Sequence, residues 1–567
     1  MVIPFLTAFF SMRLCDSNNS KHLKMIRKKK TLVIVFFFSV LVLQLLYSFR
    51  KDDATFAAQD CVVVDQGPNW TPADRNDFYI QDQGSQLLTY SWLLALNDVN
   101  GQPFLQSSLE RYGFLPIPGR KLPVGFSLVK NKSNILQAGL TCAGCHTRNL
   151  KVGDAYYRVD GAPSFVNLEQ FTTDLDEALQ RMVDNPTELA TFYDRVVDQS
   201  RQLGEPAPPS FEGFKTNLVS SQQVKHEIVS RAFPVSNVWG VGRVDALNQI
   251  YNRLAGLDLA VPPQVIVRQC IVPANIPVRP PFLWNSFKQD YTQWTTTSAN
   301  GNIYQALMRN SGQVIGVGGM LNPVANPASP NGIDFFSNNS INWKGIEYLE
   351  TLIRKMGPPR WPWNVNAALA AKGQILYNAN CNSCHGIKSG EARPPSTEPT
   401  WATPLHHVGT DPTYYNMLTR TAPTGILKDV LGNVAPINTI LDYVTSSMVQ
   451  QKYPDAILIK SGRNPLPARG SFESRVLQGV WASAPYLHNG SVPTLEDLLK
   501  PAAQRPETFS VGVNFDTLKV GLSSNQKARF GHLFNTKIVG NSNAGHEYGT
   551  QLTTQERSAL LEYLKIL

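Results

Sequence analysis

Two pentapeptides carry the chemistry that this sequence is equipped to do. They are Cys142-Ala143-Gly144-Cys145-His146 and Cys381-Asn382-Ser383-Cys384-His385. Two thiols three positions apart, followed at once by an imidazole, form the c-type haem attachment signature. The thiols add to the two vinyl groups on one edge of the porphyrin, and the His then sits under the ring and coordinates iron. A zinc site would need motifs 239 residues apart to share one metal. A thioredoxin-like dithiol would not be followed by His twice. The spacing therefore predicts two covalently bound haem c groups. Cys142, Cys145, Cys381 and Cys384 attach them, and His146 and His385 ligate the irons.

The elements that must position these groups are partly readable. Ala367–Asn378 has helical character and runs directly into the second motif, with Gly373, Leu376 and Tyr377 ahead of Cys381. Thr553 and Glu556 form a capping box for a final helix whose stripe is Leu560, Leu561, Leu564 and Leu567. This pair resembles the first and last helices of a class I cytochrome c domain, which would pack across one another. Asp174–Asp184 and Glu188–Leu203 have helical spacing broken at Asn185–Pro186, and Pro206–Ser210 is a further break. Residues 262–281 hold six prolines, and 311–340 are rich in Gly, Asn and Pro; both read as long ordered loops or linkers. The expected fold is mainly α, with two class I cytochrome c-like domains carrying long loop insertions and an N-terminal transmembrane or signal segment. The expected parts are a basic cytoplasmic N-terminus (1–30), a signal anchor or signal peptide (31–49), an N-terminal haem domain with insertions (58–360) and a C-terminal cytochrome c domain (361–567).

The chain has 567 residues, 43% apolar and 17% charged, which excludes wholesale disorder and coiled coil. Its net charge of +9 is concentrated at one end. The first fifty residues hold eight Lys/Arg against Asp16 alone, leaving only +2 for the rest. No basic face for nucleic acid is implied. Thr31–Phe49 is uncharged and comes after Lys24 and the run Arg27–Lys30, so the chain beyond it is expected outside the cytoplasm. Met25 offers an alternative start for this targeting segment. The expected location is the periplasmic side of the inner membrane, anchored, or periplasmic or secreted if the segment is cleaved. Cys61 and Cys270 then lie in an oxidising compartment, either paired with each other or as two thiols.

Longer stretches carry a resemblance. Trp481-Ala-Ser-Ala-Pro-Tyr-Leu-His-Asn-Gly-Ser-Val-Pro-Thr-Leu-Glu-Asp-Leu-Leu499 resembles the C-terminal haem domain of bacterial di-haem cytochrome c peroxidases. Gly139–His146, Arg158–Pro163, Gly240–Leu247, Pro281–Trp284 and Gly540–Gly549 resemble the narrower rubber oxygenase-like di-haem c-type cytochrome subfamily, over about residues 65–567. The resemblance implies a haem-dependent oxidoreductase, peroxidase-like, in which haem 2 moves electrons and haem 1 binds peroxide or O₂. Two alternatives remain: a haem dioxygenase cleaving an apolar, polyisoprenoid-like substrate, and a non-catalytic electron-transfer cytochrome. The implied electron donor is a small redox protein or a quinol-linked carrier. A calcium ion between the domains is an expectation of the peroxidase resemblance alone.

The sixth ligands decide between these readings, because an iron with one open face binds O₂ or peroxide. The position where the peroxidases carry a distal Met for the second haem is Ala502, and no Met occurs after Met448. His546, in the Gly/Asn-rich loop Gly540–Gly549, is the favoured distal ligand of haem 2. His488 is the runner-up, and His532 the remaining choice weighed. Between the motifs only His226, Met182, Met308, Met320 and Met356 are offered to haem 1, so an open distal face is the simplest reading. Phe282, Trp284, Phe287, Tyr291 and Trp294 could wall its pocket. Glu169 and Glu177 are acid/base candidates, and Arg148, Arg158 and Arg243 are candidate partners for haem propionates.

Overall fold

The computed structural model describes residues 61–567 apart from 234–235, 263, 460–467 and 527–531. The expected span Thr31–Phe49, the basic segment before it and Cys15 lie outside the described residues. Among the described residues no helix is long and apolar enough to cross a membrane.

The helix entering the second motif runs from Ala367 to Asn380, and the final helix from Thr554 to Ile566. The capping box is present: the Thr553 hydroxyl accepts from the Glu556 N–H, and the Glu556 carboxylate accepts from the Thr553 N–H. The two helices cross at Gly373, where a Cβ would lie 2.0 Å from the Ala559 carbonyl oxygen. Tyr377, one turn further on, is buried with Leu560, Leu561 and Leu564 in one apolar cluster. That cluster also contains Leu150, Val159 and Phe282, so the core runs without a break across position 360. Residues Ala57–Leu567 form one unit.

Around this centre lie two helical layers. Leu168–Asp184, Pro186–Gln202 and Phe211–Ala232 pack with Tyr90–Ala95 over a Phe-rich core that includes Phe104, Phe171, Phe192 and Phe214. The break at Asn185–Pro186 is the expected one, and the Asn185 side chain caps the second helix by accepting from the Thr187 and Glu188 N–H groups. The other layer joins Ala246–Arg253, Ile303–Gly316 and Ile437–Lys452. The helix Ile303–Gly316 runs six residues into the stretch expected to be loop. It ends at Gly316, where Ile250 packs: a Cβ there would meet Ile250 Cγ1 at 2.7 Å.

Small sheets accompany the helices. Immediately after the first motif, Thr147–Val152 and Ala155–Asp160 form an antiparallel hairpin, and Cys61–Val63 adds to it in parallel. Cys61 and Cys270 are both free thiols, one on this sheet edge and the other buried in the helical layer around Tyr251. Of the two arrangements open from sequence, the unpaired one is present.

Candidate functional site

The first motif forms a single helical turn, Cys142–Cys145, between the strand Leu136–Leu140 and the hairpin. The chain from Arg158 to Pro163 lies across it. Gly161 N–H donates to the His146 carbonyl at 2.8 Å, and Ser164 N–H donates to the Cys145 carbonyl at 2.8 Å. Asp160 is fully buried and anchors this segment, accepting from Trp70 Nε1, Arg75 Nε and Tyr79 Oη at 2.9, 2.7 and 2.7 Å. The second motif comes directly after its helix, and Tyr377 Oη donates to the His385 carbonyl at 3.2 Å.

Each motif opens on its own cavity. Cys142, Cys145 and His146 line the first, and Cys381, Cys384 and His385 line the second. The volumes are about 190 and 170 Å³. Arg279, Phe282, Trp294, Glu473 and Arg475 line both and so form the partition between them. Much of the first wall is apolar, with Leu168, Val244, Leu247, Ile250, Val278 and Leu283. Part of its polar lining comes from two neighbouring helices. Glu350 Oε1 accepts from Arg309 Nη2 and Asn310 Nδ2, both at 2.7 Å, and Gln83 Oε1 accepts from the Cys142 thiol at 3.4 Å.

In the second cavity His385 and His546 face each other with ring centres 6.1 Å apart. His385 Nδ1 donates to the Arg475 carbonyl at 2.7 Å, leaving Nε2 as the nitrogen free to ligate. His546 rides a loop held by Arg505, which donates to the carbonyls of Asn543, Gly545 and His546. Its backbone takes φ +51°, a conformation that a non-glycine residue keeps only when its surroundings enforce it. His488 also lines this cavity, but its ring is stacked on Phe472 at 3.9 Å.

Burial sets the protonation of these groups. It pushes the Cys142 thiol up to about 12 and Cys145 and Cys381 to about 11. It pulls His146 down to about 4, assisted by the Arg475 charge, and His546 to about 3, assisted by His385 and Arg505. His385 is lowered by burial as well. The imidazoles are therefore neutral at pH 7, the form that ligates a metal. Several buried polar atoms around the cavities lack partners, among them the hydroxyls of Thr141, Thr292 and Thr410, Nδ1 of His146 and of His546, and Nη1 of Arg475. Thiols, neutral imidazoles and unbonded donors converging on two apolar cavities fit two c-type haems.

Other expected residues lie elsewhere. Phe282 and Trp294 are in the cavity walls, but Trp284 is fully buried behind Phe282, stacked on it at 4.6 Å with Nε1 donating to the Gln478 carbonyl. Phe287 and Tyr291 line neither cavity. Arg148 is spent on the carbonyls of Pro163, Ala482 and Ala484, Arg158 on Asn149 and Tyr79, and Arg243 on Val238, Trp239 and Asn541. None of the three reaches a cavity, so none is a propionate partner. Glu169 accepts from the Trp239 N–H and Glu177 is exposed on its helix; neither lies beside His146. His226 pairs with Asp176 at 2.8 Å. Met182, Met308 and Met356 are core side chains and Met320 is exposed; among the described residues no Met lines either cavity. His532 packs against Gly240, outside both cavities. Among the described residues no three His, Cys, Asp or Glu side chains cluster as a metal site, so the calcium expectation gains no ligand set.

Sequence reasoning missed Arg279, Arg309, Glu350, Glu473 and Arg475. Only Arg475 gave a faint signal, six residues before the Trp481–Leu499 stretch.

The second half of the chain matches two families. A family described as cytochrome C oxidase, cbb3-type, subunit III matches residues 368–427, which include the second motif. A family described as RoxA-like, cytochrome c-like matches residues 471–510, which include Glu473 and Arg475 of the partition. The chain carries cytochrome c-like domains. Such domains bind haem c covalently and transfer electrons, and the second match relates them to the RoxA-like cytochromes. Two relatives from Sinorhizobium fredii (strain NBRC 101917 / NGR234) are similar over long stretches. The uncharacterized protein y4iJ is 28% identical over 95% of this chain and 100% of its own length. The uncharacterized protein y4iM is 26% identical over 64% of this chain and 76% of its own.

Proposed function

We propose that the chain is an exported di-haem c-type oxidoreductase with one closed and one open iron site. Cys381, Cys384, His385 and His546 hold the closed site, which passes electrons. Cys142, Cys145 and His146 hold the open site, which takes peroxide or O₂. Haem bound there supplies the redox chemistry and a coordination position for the small oxidant.

The asymmetry between the cavities carries this reading. The ring centres of His385 and His546 are 6.1 Å apart, so both imidazoles would be available to hold the haem iron of the second site. Among the described residues, the first cavity is lined by one His, His146, and by no Met. The residues around it have distinct tasks. Glu350, oriented by Arg309 and Asn310, is placed to hold or move a proton in a cavity with largely apolar walls. Phe282 and Trp294, in the wall of both cavities, give a short path between them. Electrons would come from a small redox protein or a quinol-linked carrier on the periplasmic side, with the N-terminal segment as membrane tether.

A second reading is supported by the apolar wall of Leu168, Val244, Leu247, Ile250 and Leu283 together with the RoxA-like match. In it the same open site oxygenates an apolar, polyisoprenoid-like substrate. Cyanide titration of the oxidised protein, monitored optically, tests what both readings share. One cyanide per chain should bind, and binding should vanish in Cys142→Ala/Cys145→Ala. No binding, or binding that survives in that variant, would overturn the open first site.

A further inference from the structure

Arg475 lies just after the strand Ser471–Glu473, is 7% exposed and lines both cavities. Its guanidinium is held in one orientation. It lies over the Phe282 ring at 4.2 Å, and Nη2 donates to Gln289 Oε1 at 2.7 Å. Nη1 has no partner, and Nε meets only Glu473 Oε1, at 3.5 Å and without hydrogen-bonding geometry. A buried, charged donor left unbonded is costly. Glu473 pairs with it by charge but does not satisfy its donors: both Glu473 oxygens lack hydrogen bonds, and burial pushes its carboxyl up to about 7. The neighbouring Arg279 is in the opposite state, with Nε and Nη1 donating to the carbonyls of Leu487 and Ser483.

A rigid guanidinium fork with free donors matches a carboxylate. The haem propionates are the carboxylates that the two cavities would bring here. We propose that Arg475 is the shared carboxylate anchor of both haem groups, and that its charge couples the two sites. The inference rests on the di-haem reading above. Two further observations support sharing. The Arg475 carbonyl accepts from His385 Nδ1, the histidine of the second site. Its side chain lines the same cavity as His146, the histidine of the first. A positive charge in the partition stabilises an added electron on either side of it.

Redox titration of the purified holoprotein, with haem per chain quantified, tests this. Replacing Arg475→Gln should lower both midpoint potentials by about 59 mV or more, which is a tenfold change in each one-electron equilibrium constant. The Arg475→Lys variant keeps the charge, loses the fork and should fall in between. Movement of one potential alone, or of neither, overturns the sharing. If Arg475→Gln does not accumulate, Arg475→Lys decides by the same rule: both potentials displaced supports the anchor, and one or none refutes it. Wild-type protein with fewer than two haems per chain would sink the di-haem reading instead, which separates the two failures.

Discussion

Asp160 shows how a residue can look chemical and prove to be an anchor. It sits within Arg158-Val-Asp-Gly-Ala-Pro163, a stretch singled out by resemblance, yet it lines neither cavity. Its carboxylate ties Trp70, Arg75 and Tyr79 to the strand whose next residue, Gly161, holds the His146 carbonyl. Asp160→Asn removes the charge facing Arg75 in a buried setting. It should destabilise the protein by about 3 kcal/mol in chemical denaturation, as broken buried ion pairs do. A loss below about 1 kcal/mol would contradict the anchoring role. The haem residues themselves were legible because thiol and imidazole spacing is dictated by the porphyrin edge, a purely local constraint. The arginines were not. Whether a guanidinium meets a carbonyl or a cavity depends on partners hundreds of residues away, as Arg148 with Ala482 and Ala484 illustrates.

At the scale of elements, the pair Ala367–Asn380 and Thr554–Ile566 was readable because caps and stripes are local signals. Their contact depends on one missing side chain. Gly373→Ala puts a methyl group 2.0 Å from the Ala559 carbonyl oxygen. Overpacking of this kind costs about 1–3 kcal/mol. The variant should lower the thermal midpoint and weaken retention of the second site's geometry, seen as altered low-spin absorption. An unchanged midpoint would mean that the helices do not cross as described. The helix Ile303–Gly316 extends into the expected loop: Gly312 and Gly316 signal loops by propensity, whereas packing against Leu441 and Ile250 overrides propensity here. The strand Ser471–Glu473 was illegible for another reason. Three residues carry no periodicity, and the strand exists only by pairing with Leu405–His407.

Over the whole molecule, buried neutral histidines tie stability to pH. Burial pulls His488 down to about 3 and His532 to about 4. Their folded pKa values lie below those of the unfolded chain, so the unfolded state binds more protons in between. Stability is therefore full above about pH 6.5 and falls as pH drops toward 4, by up to about 1.4 kcal/mol per pH unit for each group. Denaturant midpoints measured from pH 7.5 to 4.5 should decline, and His488→Gln should flatten the slope. A slope unaffected by that change would rule out His488 as a contributor. The two-cavity plan itself was expected from the two motifs, but the five-residue partition that joins the cavities emerged only when both halves of the chain packed on one core.

The central claim is that one iron site is closed by His546 and the other is open. Low-temperature EPR of the fully oxidised protein, with haem per chain measured on the same sample, tests it most directly. The expected result is two haems per chain, one low-spin and one high-spin ferric signal, and conversion of the low-spin signal to high-spin in His546→Ala. Two low-spin signals that persist when exogenous ligands are added, or a low-spin signal indifferent to the loss of His546, would contradict it.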